Sequence, residues 1–354
     1  MISFSMFPAR DGDCILLQFG QPARRVLVDV GRSSGYRVLG PLLAKAGCID
    51  GIDLFVVSHI DSDHIGGALK LTSDSEMSSK VRSVWFNNYD HVCTALKRTG
   101  FEVQGTAQGE RLSAAISDAG WISNSGFDQS VVSTTSDLVR IPLHGATLTL
   151  LSPTDQKLAM LQPIWQTEVE KAGLTETDKS NDLLPNEIEI FGSPELTVEE
   201  LAALPELPDR TIANGSSIAF MMEFEGKKVI CASDAHPDPL EAAIDKLRGD
   251  QARLKIDLLK VSHHGSRSNT TRAFLEMLDC TRFAFSTDGS RHNHPDRETI
   301  ARILTYCCPG DLKTFYFNYR QPNTRYWDDE DRMEKHKYQC VFSDDIGGYL
   351  SINL

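Results

Sequence analysis

Residues 52–58 read IDLFVVS, a nearly continuous apolar run with two β-branched valines. Such a run is expected of a strand buried on both faces, which requires a layered α/β arrangement with helices covering the sheet. The chain then continues SHIDSDHIGG over residues 58–67, so His59, Asp61, Asp63 and His64 fall within six positions at the strand end. Imidazole and carboxylate together suit zinc, manganese or iron. The small Ser62 and the two glycines predict a tight loop in which these side chains converge on ions from two sides.

Three further apolar runs end in the same residue types. Asp29 follows RVLV, Asp234 follows KKVICAS, and His263 with His264 follows DLLKVS. Open α/β sheets assemble sites from strand ends at one rim, so the recurrence predicts one shared site. Asp29 is expected to hydrogen-bond the neighbouring loop and stand behind a ligand, with metal contact as the alternative. Asp234 is better placed to bridge two ions. Consecutive residues on an extended strand point to opposite sides, which favours His263 as the ligand and leaves His264 as the alternative.

The rest of the chain reads as one large domain over residues 1–320, with a C-terminal extension at 321–354 that packs on it. Strands are expected at 14–19, 25–30, 146–151, 217–224, 228–232, 258–262 and 282–286, with insertions at about 87–140 and 155–210. The second insertion is acidic, helix-prone and punctuated by five prolines, the pattern of a segment lying over a domain and not of a second core. The net charge of −13 opposes long duplex nucleic acid and anionic membranes, except at a local basic or metal-loaded groove. No apolar window long enough for a membrane span is present, and the opening MISFSMFPARDGD lacks the pattern of a secretion signal, so the cytoplasm is the expected compartment. Eight scattered cysteines without a CxxC pair suggest buried thiols and neither a disulfide framework nor a zinc ribbon.

Taken in order, these segments resemble the metallo-β-lactamase fold, and within it the soluble hydrolase domain of ComEC-type DNA-uptake proteins. HIDSDHIGG is similar to the ComEC-like variant of the HxHxDH motif, with Asp61 in place of the second histidine. ARDGDCILLQFG with VLVDVG resembles the opening hairpin, SSIAFMMEF with KKVICASD the strand pair leading to a bridging aspartate, KVSHHGS the last metal histidine, and HNHP a late active-site histidine. The resemblance implies an αββα sandwich of two mixed β-sheets flanked by helices. It further implies that His59 and Asp61 hold a first divalent ion, that Asp63, His64 and His263 hold a second, and that Asp234 bridges them. The family's additional metal histidine is missing, and Asn214, a weaker ligand, stands near its place.

Two divalent ions, zinc or manganese, can acidify a water and stabilise charge on attacking and leaving oxygens. The carboxylate at position 61 hardens the ligand set and favours oxygen-rich anionic substrates. The leading expectation is therefore a metal-dependent phosphodiesterase or nuclease, acting on short or single-stranded nucleic acid or a small nucleotide-like diester. Asp63 and His294 are the expected catalytic residues, His294 contacting a phosphoryl oxygen or protonating the leaving group. Ser266, Arg267 and Asn269 are the expected substrate contacts. Two alternatives remain: hydrolysis of a lactam, lactone or thioester, and a metal-stabilised binding or scaffold component that docks partners on residues 155–210.

Overall fold

The computed structural model describes residues 1–102, 110–135, 137–174, 196–343 and 348–354. Parts of both expected insertions, residues 103–109, 136 and 175–195, lie outside the described residues. The strands are β1 (Ile2–Met6), β2 (Ile15–Phe19), β3 (Arg24–Val28), β4 (Leu54–Val56), β5 (Ser83–Trp85) and β6 (Ile122–Ser123) in the first part of the chain. They continue as β7 (Arg140–Leu143), β8 (Ala146–Ser152), β9 (Ala219–Phe224), β10 (Lys227–Cys231), β11 (Leu254–Lys255) and β12 (Leu258–Lys260). The last are β13 (Leu278–Asp279), β14 (Arg282–Phe285), β15 (Lys313–Phe317), β16 (Tyr338–Phe342) and β17 (Leu350–Asn353).

Two large mixed sheets result, ordered β17-β1-β2-β3-β4-β5-β6 and β16-β15-β14-β12-β10-β9-β8-β7, with β11 and β13 forming a small separate pair. Period-two alternation sorts the side chains. Leu17, Val28, Val56, Phe220, Val229 and Leu258 fill one core. Leu16, Leu27 and Phe55 pack with helix residues in a second, and Ile230, Leu259 and Phe283 do so in a third. Three such cores are what two sheets face to face with helices outside require. The αββα expectation and the structure agree.

In each sheet the antiparallel half gives way to a parallel half, β3-β4-β5-β6 in the first and β10-β12-β14-β15-β16 in the second. Parallel strands deliver their C-terminal ends to one rim, so Asp29, His59, Asp234 and the pair His263–His264 leave the sheets together. The described part of the second insertion packs into the outer cores: Leu158, Trp165 and Val169 join one, Val198 and Leu201 the other. At the C-terminus, β16 extends the second sheet beside β15, while β17 pairs with β1 at the edge of the first.

Candidate metal centre

The SHIDSDHIGG segment is not the loop its glycines suggest. A helix runs Ser62–Ser73 with Asp61 at its N-cap, and Asp63 and His64 lie in its first turn. The glycines serve close approach: a Cβ on Gly67 would sit 2.1 Å from the Val30 carbonyl oxygen, and one on Gly66 2.9 Å from the Ser33 nitrogen. Gly12 similarly abuts the Asp63 backbone, where a Cβ would fall 1.9 Å from its carbonyl oxygen. The helix is thus pressed against the β1–β2 connection and the segment that follows β3, and the positions of Asp63 and His64 in its first turn are set by that packing. Asp61 makes no side-chain capping bond. Its Oδ2 instead lies 3.5 Å from His59 Nε2.

His64 is fully buried. Its Nδ1–H donates to Asp29 Oδ2 at 2.8 Å, which leaves Nε2 facing Asp234 Oδ2 at 3.4 Å and Asp63 Oδ2 at 3.8 Å. Burial opposes protonation of this ring, but the Asp234 and Asp29 carboxylates outweigh it and hold the imidazole well above its ordinary range. Asp29 accepts in addition from the Ser58 backbone N–H at 2.8 Å and the Ser58 hydroxyl at 2.6 Å. That hydroxyl lies 3.0 Å from His59 Nδ1. Asp29 therefore orients His64 directly and His59 through Ser58.

The two adjacent histidines do not sit on an extended strand. Residues 262–265 form a tight turn in which His263 has φ 45° and His264 φ 54°, both left-handed. Opposite-side alternation therefore does not apply to them. His264 Nδ1–H donates to the Ser286 carbonyl at 2.7 Å. Its Nε2 faces Asp234 Oδ2 at 3.7 Å and Asp63 Oδ2 at 4.0 Å. His263 is held otherwise: Nδ1–H donates to Asn269 Oδ1 at 3.0 Å, with Asp209 Oδ2 at 3.5 Å, and Nε2 lies 3.8 Å from Asp234 Oδ2.

Ligand-type atoms within 4.8 Å of one another form the sets His59–His64–Asp234 and Asp63–His64–His264 among the described residues, with Asp13 entering two more. His59 Nε2, His64 Nε2, His264 Nε2 and Asp234 Oδ1 are buried without a hydrogen-bond partner. Each such orphan costs roughly 1–3 kcal/mol unless something compensates it. Three bare imidazole nitrogens and a carboxylate oxygen aimed at one region fit divalent cations, and no donor among the described residues is offered to them. Burial works against the Asp234 charge, yet the surrounding imidazoles of His64, His264 and His263 hold its carboxyl well below the usual range.

The remaining expected residues divide between cleft and support. Ser266, Arg267 and His294 line a cleft of about 860 Å³ over the cluster, with Arg32, Lys171 and Arg291. Arg267 is tied to Glu298 at 2.6 Å. His294 Nδ1 lies 3.4 Å from Asp296 Oδ1, and burial pushes its pKa down. Asn269 is fully buried and points its amide nitrogen to Asp209 at 3.1 Å and to the Asp234 and Ala235 carbonyls at 3.3 Å, so it braces His263 beneath the cleft floor. Asn214 donates to Asp209 Oδ2 at 2.7 Å.

Three residues escaped the sequence reading: the buried Asp13 and Lys260, and the half-buried Asp209. The readable signals were an acid directly before the apolar run CILL and a lysine inside the apolar strand LLKV. Asp209, in a proline-flanked polar stretch, carried none.

Residues 8–88 match the family model described as the metallo-beta-lactamase superfamily. A curated relative, ComE operon protein 3 of Bacillus subtilis (strain 168), is 29% identical over 97 residues, which are 27% of this chain and 12% of the relative. The chain thus matches only a small part of that protein's length. Among solved structures, the metallo-beta-lactamase fold protein YhfI of Bacillus subtilis is 10% identical, with a TM-score of 0.42, covering 87% of this chain and 95% of its own. A metallo-beta-lactamase with a HARLDQ motif from Cronobacter sakazakii is 15% identical, with a TM-score of 0.33, covering 73% and 76%. No helix among the described residues is long and apolar enough to cross a membrane.

Proposed function

We propose that this metallo-β-lactamase-fold chain is a metal-dependent phosphodiesterase or nuclease. The observation that carries the reading is the convergence of partnerless imidazole and carboxylate atoms at the floor of a cleft whose wall bears Arg32, Lys171, Arg267 and Arg291. Those four cationic groups face five carboxylates in the cleft: Asp61, Asp63, Glu168, Asp234 and Asp296. Without bound cations the cleft would repel an anion; with a divalent pair the balance reverses and an anionic diester is favoured.

His59, Asp61 and Asp234 would hold one ion, and Asp63, His64, His264 and Asp234 the other. A divalent pair, zinc or manganese, supplies Lewis acidity toward water and toward an anionic substrate oxygen. The protein's own groups do the rest. Asp63 and Asp234 orient the attacking water, and Arg291 and Arg267 at the cleft wall take non-bridging oxygens of the substrate. His294, with Asp296 behind Nδ1 and its charge disfavoured by burial, would take at Nε2 the proton given up by the attacking water and pass it to the leaving oxygen. The acidic surface restricts a nucleic-acid substrate to short or single-stranded pieces.

The test is a panel of a generic phosphodiester, single-stranded DNA, an ester and a lactam, run with added manganese or zinc on the parent and on His64→Ala. Metal-dependent cleavage of the diesters, lost in a variant that keeps its circular dichroism spectrum, is expected. Turnover of the ester or lactam alone, or equal diester rates in parent and variant, would overturn the reading.

A further inference from the structure

Lys260 occupies a position at which β12 should carry an apolar side chain. Its partners across the sheet are Cys231 and Ala284, residues of the layer between the two sheets, and its own side chain is fully buried. An ammonium ion there is costly unless it is paired. Its partner is Asp13, also fully buried, whose Oδ2 forms an ion pair with Lys260 Nζ. Asp13 comes from the connection between β1 and β2 in the opposite sheet, so the pair spans the sandwich directly beneath the cluster.

The pair touches the cluster through one imidazole. Asp13 Oδ1 lies 3.5 Å from His264 Nδ1, on the side of the ring that donates to Ser286. Lys260 stands four residues before His264 on the same strand-to-turn segment. His64 shows the parallel arrangement, a buried carboxylate, Asp29, behind Nδ1 with Nε2 turned to Asp63 and Asp234. Ser58 satisfies Asp29; Lys260 does the same for Asp13, which no other charged donor among the described residues approaches so closely.

We propose that Asp13 and Lys260 form a positioning clamp: the carboxylate fixes the His264 ring with Nε2 toward Asp63 and Asp234, and the ammonium makes that buried carboxylate tolerable. The clamp sets how tightly the Asp63–His64–His264 set holds a divalent ion, and in this it rests on the metal-centre reading above. A buried ion pair that only held the sheets together could be replaced by a neutral pair at little cost to anything else.

Zinc affinity by chelator competition and the melting temperature in excess chelator separate the two roles, measured on the parent, Asp13→Asn, Lys260→Met and the double variant. Each single substitution should lower the metal-free melting temperature, and the double variant should recover most of it. The more tightly held zinc equivalent, the one assigned to the Asp63–His64–His264 set, should nevertheless stay roughly 10–100-fold weaker than in the parent in the double variant. A double variant that recovers its melting temperature and binds both equivalents with parental affinity would overturn the proposal. Should the double variant not fold, Asp13→Glu keeps the charge but displaces it by a methylene; the same loss of affinity is expected, and parental affinity would again overturn it. A parent that binds no zinc would instead defeat the metal-centre reading itself.

Discussion

His59 and Asp61 on one side of the cluster, and Asp63, His64 and His264 on the other, are supported to different degrees. On the second side both imidazoles donate Nδ1–H to fixed acceptors, Asp29 at 2.8 Å and the Ser286 carbonyl at 2.7 Å, and both are almost wholly buried. On the first side His59 leans on a serine hydroxyl, and the Asp61 side chain keeps about a third of its surface exposed. Asn214, near the place where the resemblance expects a further metal histidine, gives its amide nitrogen to Asp209 at 2.7 Å and lies 3.3 Å from His263 Nδ1. Preorganised ligands lose less freedom on binding, so the second side should hold its ion more tightly.

The sharpest way to break this comparison is to exchange the neighbouring histidines. His264→Ala should lose one metal equivalent and more than about 10³-fold in turnover, the range seen when a principal electrostatic contributor is removed. His263→Ala should keep both equivalents and lose about 10²-fold, as for a proton-handling or orienting group. Metal analysis and steady-state rates on both variants check this, and the reverse ranking would exchange their roles. Next in size, Asp29→Asn should weaken the second side about 10–100-fold in a zinc competition titration, because the neutral amide no longer anchors the His64 tautomer.

Asn214→His should move the two sides closer together, tightening the first by about tenfold through an added imidazole. An unchanged titration would show that position 214 does not face the ion. The smallest effect concerns His294. Burial lowers its pKa, so its neutral form contributes stability that is present above the unfolded value near 6.5 and is lost as pH falls through the lowered folded value. Between pH 8 and 5 the metal-free protein should therefore lose more stability than His294→Gln does, read from paired thermal melts.

The ligand-rich strand ends were legible because apolar runs and the residues that close them are local in the chain. IDLFVVS followed by SHIDSDH, and KKVICAS followed by Asp234, announce buried parallel strands and a shared rim without any knowledge of what packs on them. The β15 strand, Lys313–Phe317, and the helical start at Ser62 were less visible. The first is a short aromatic run between charged flanks, and the second carries two glycines that read as a loop until the Val30 and Ser33 backbones are seen pressing on them.

The amino-acid sequence by itself determined the residue types at the rim, the buried strands of a layered α/β fold and the class of ion those side chains suit, since each follows from periodicity and donor chemistry, while the two-sheet sandwich was implied by the resemblance to a known family. Only the tertiary structure decided which of two adjacent histidines turns toward Asp63, because a left-handed turn at 263–264 replaces strand alternation. It alone also brought Asp13 to Lys260, residues 247 positions apart whose meeting depends on how one sheet is laid over the other. A buried charge cannot be recognised as paired until its partner, supplied by a distant strand, is in place.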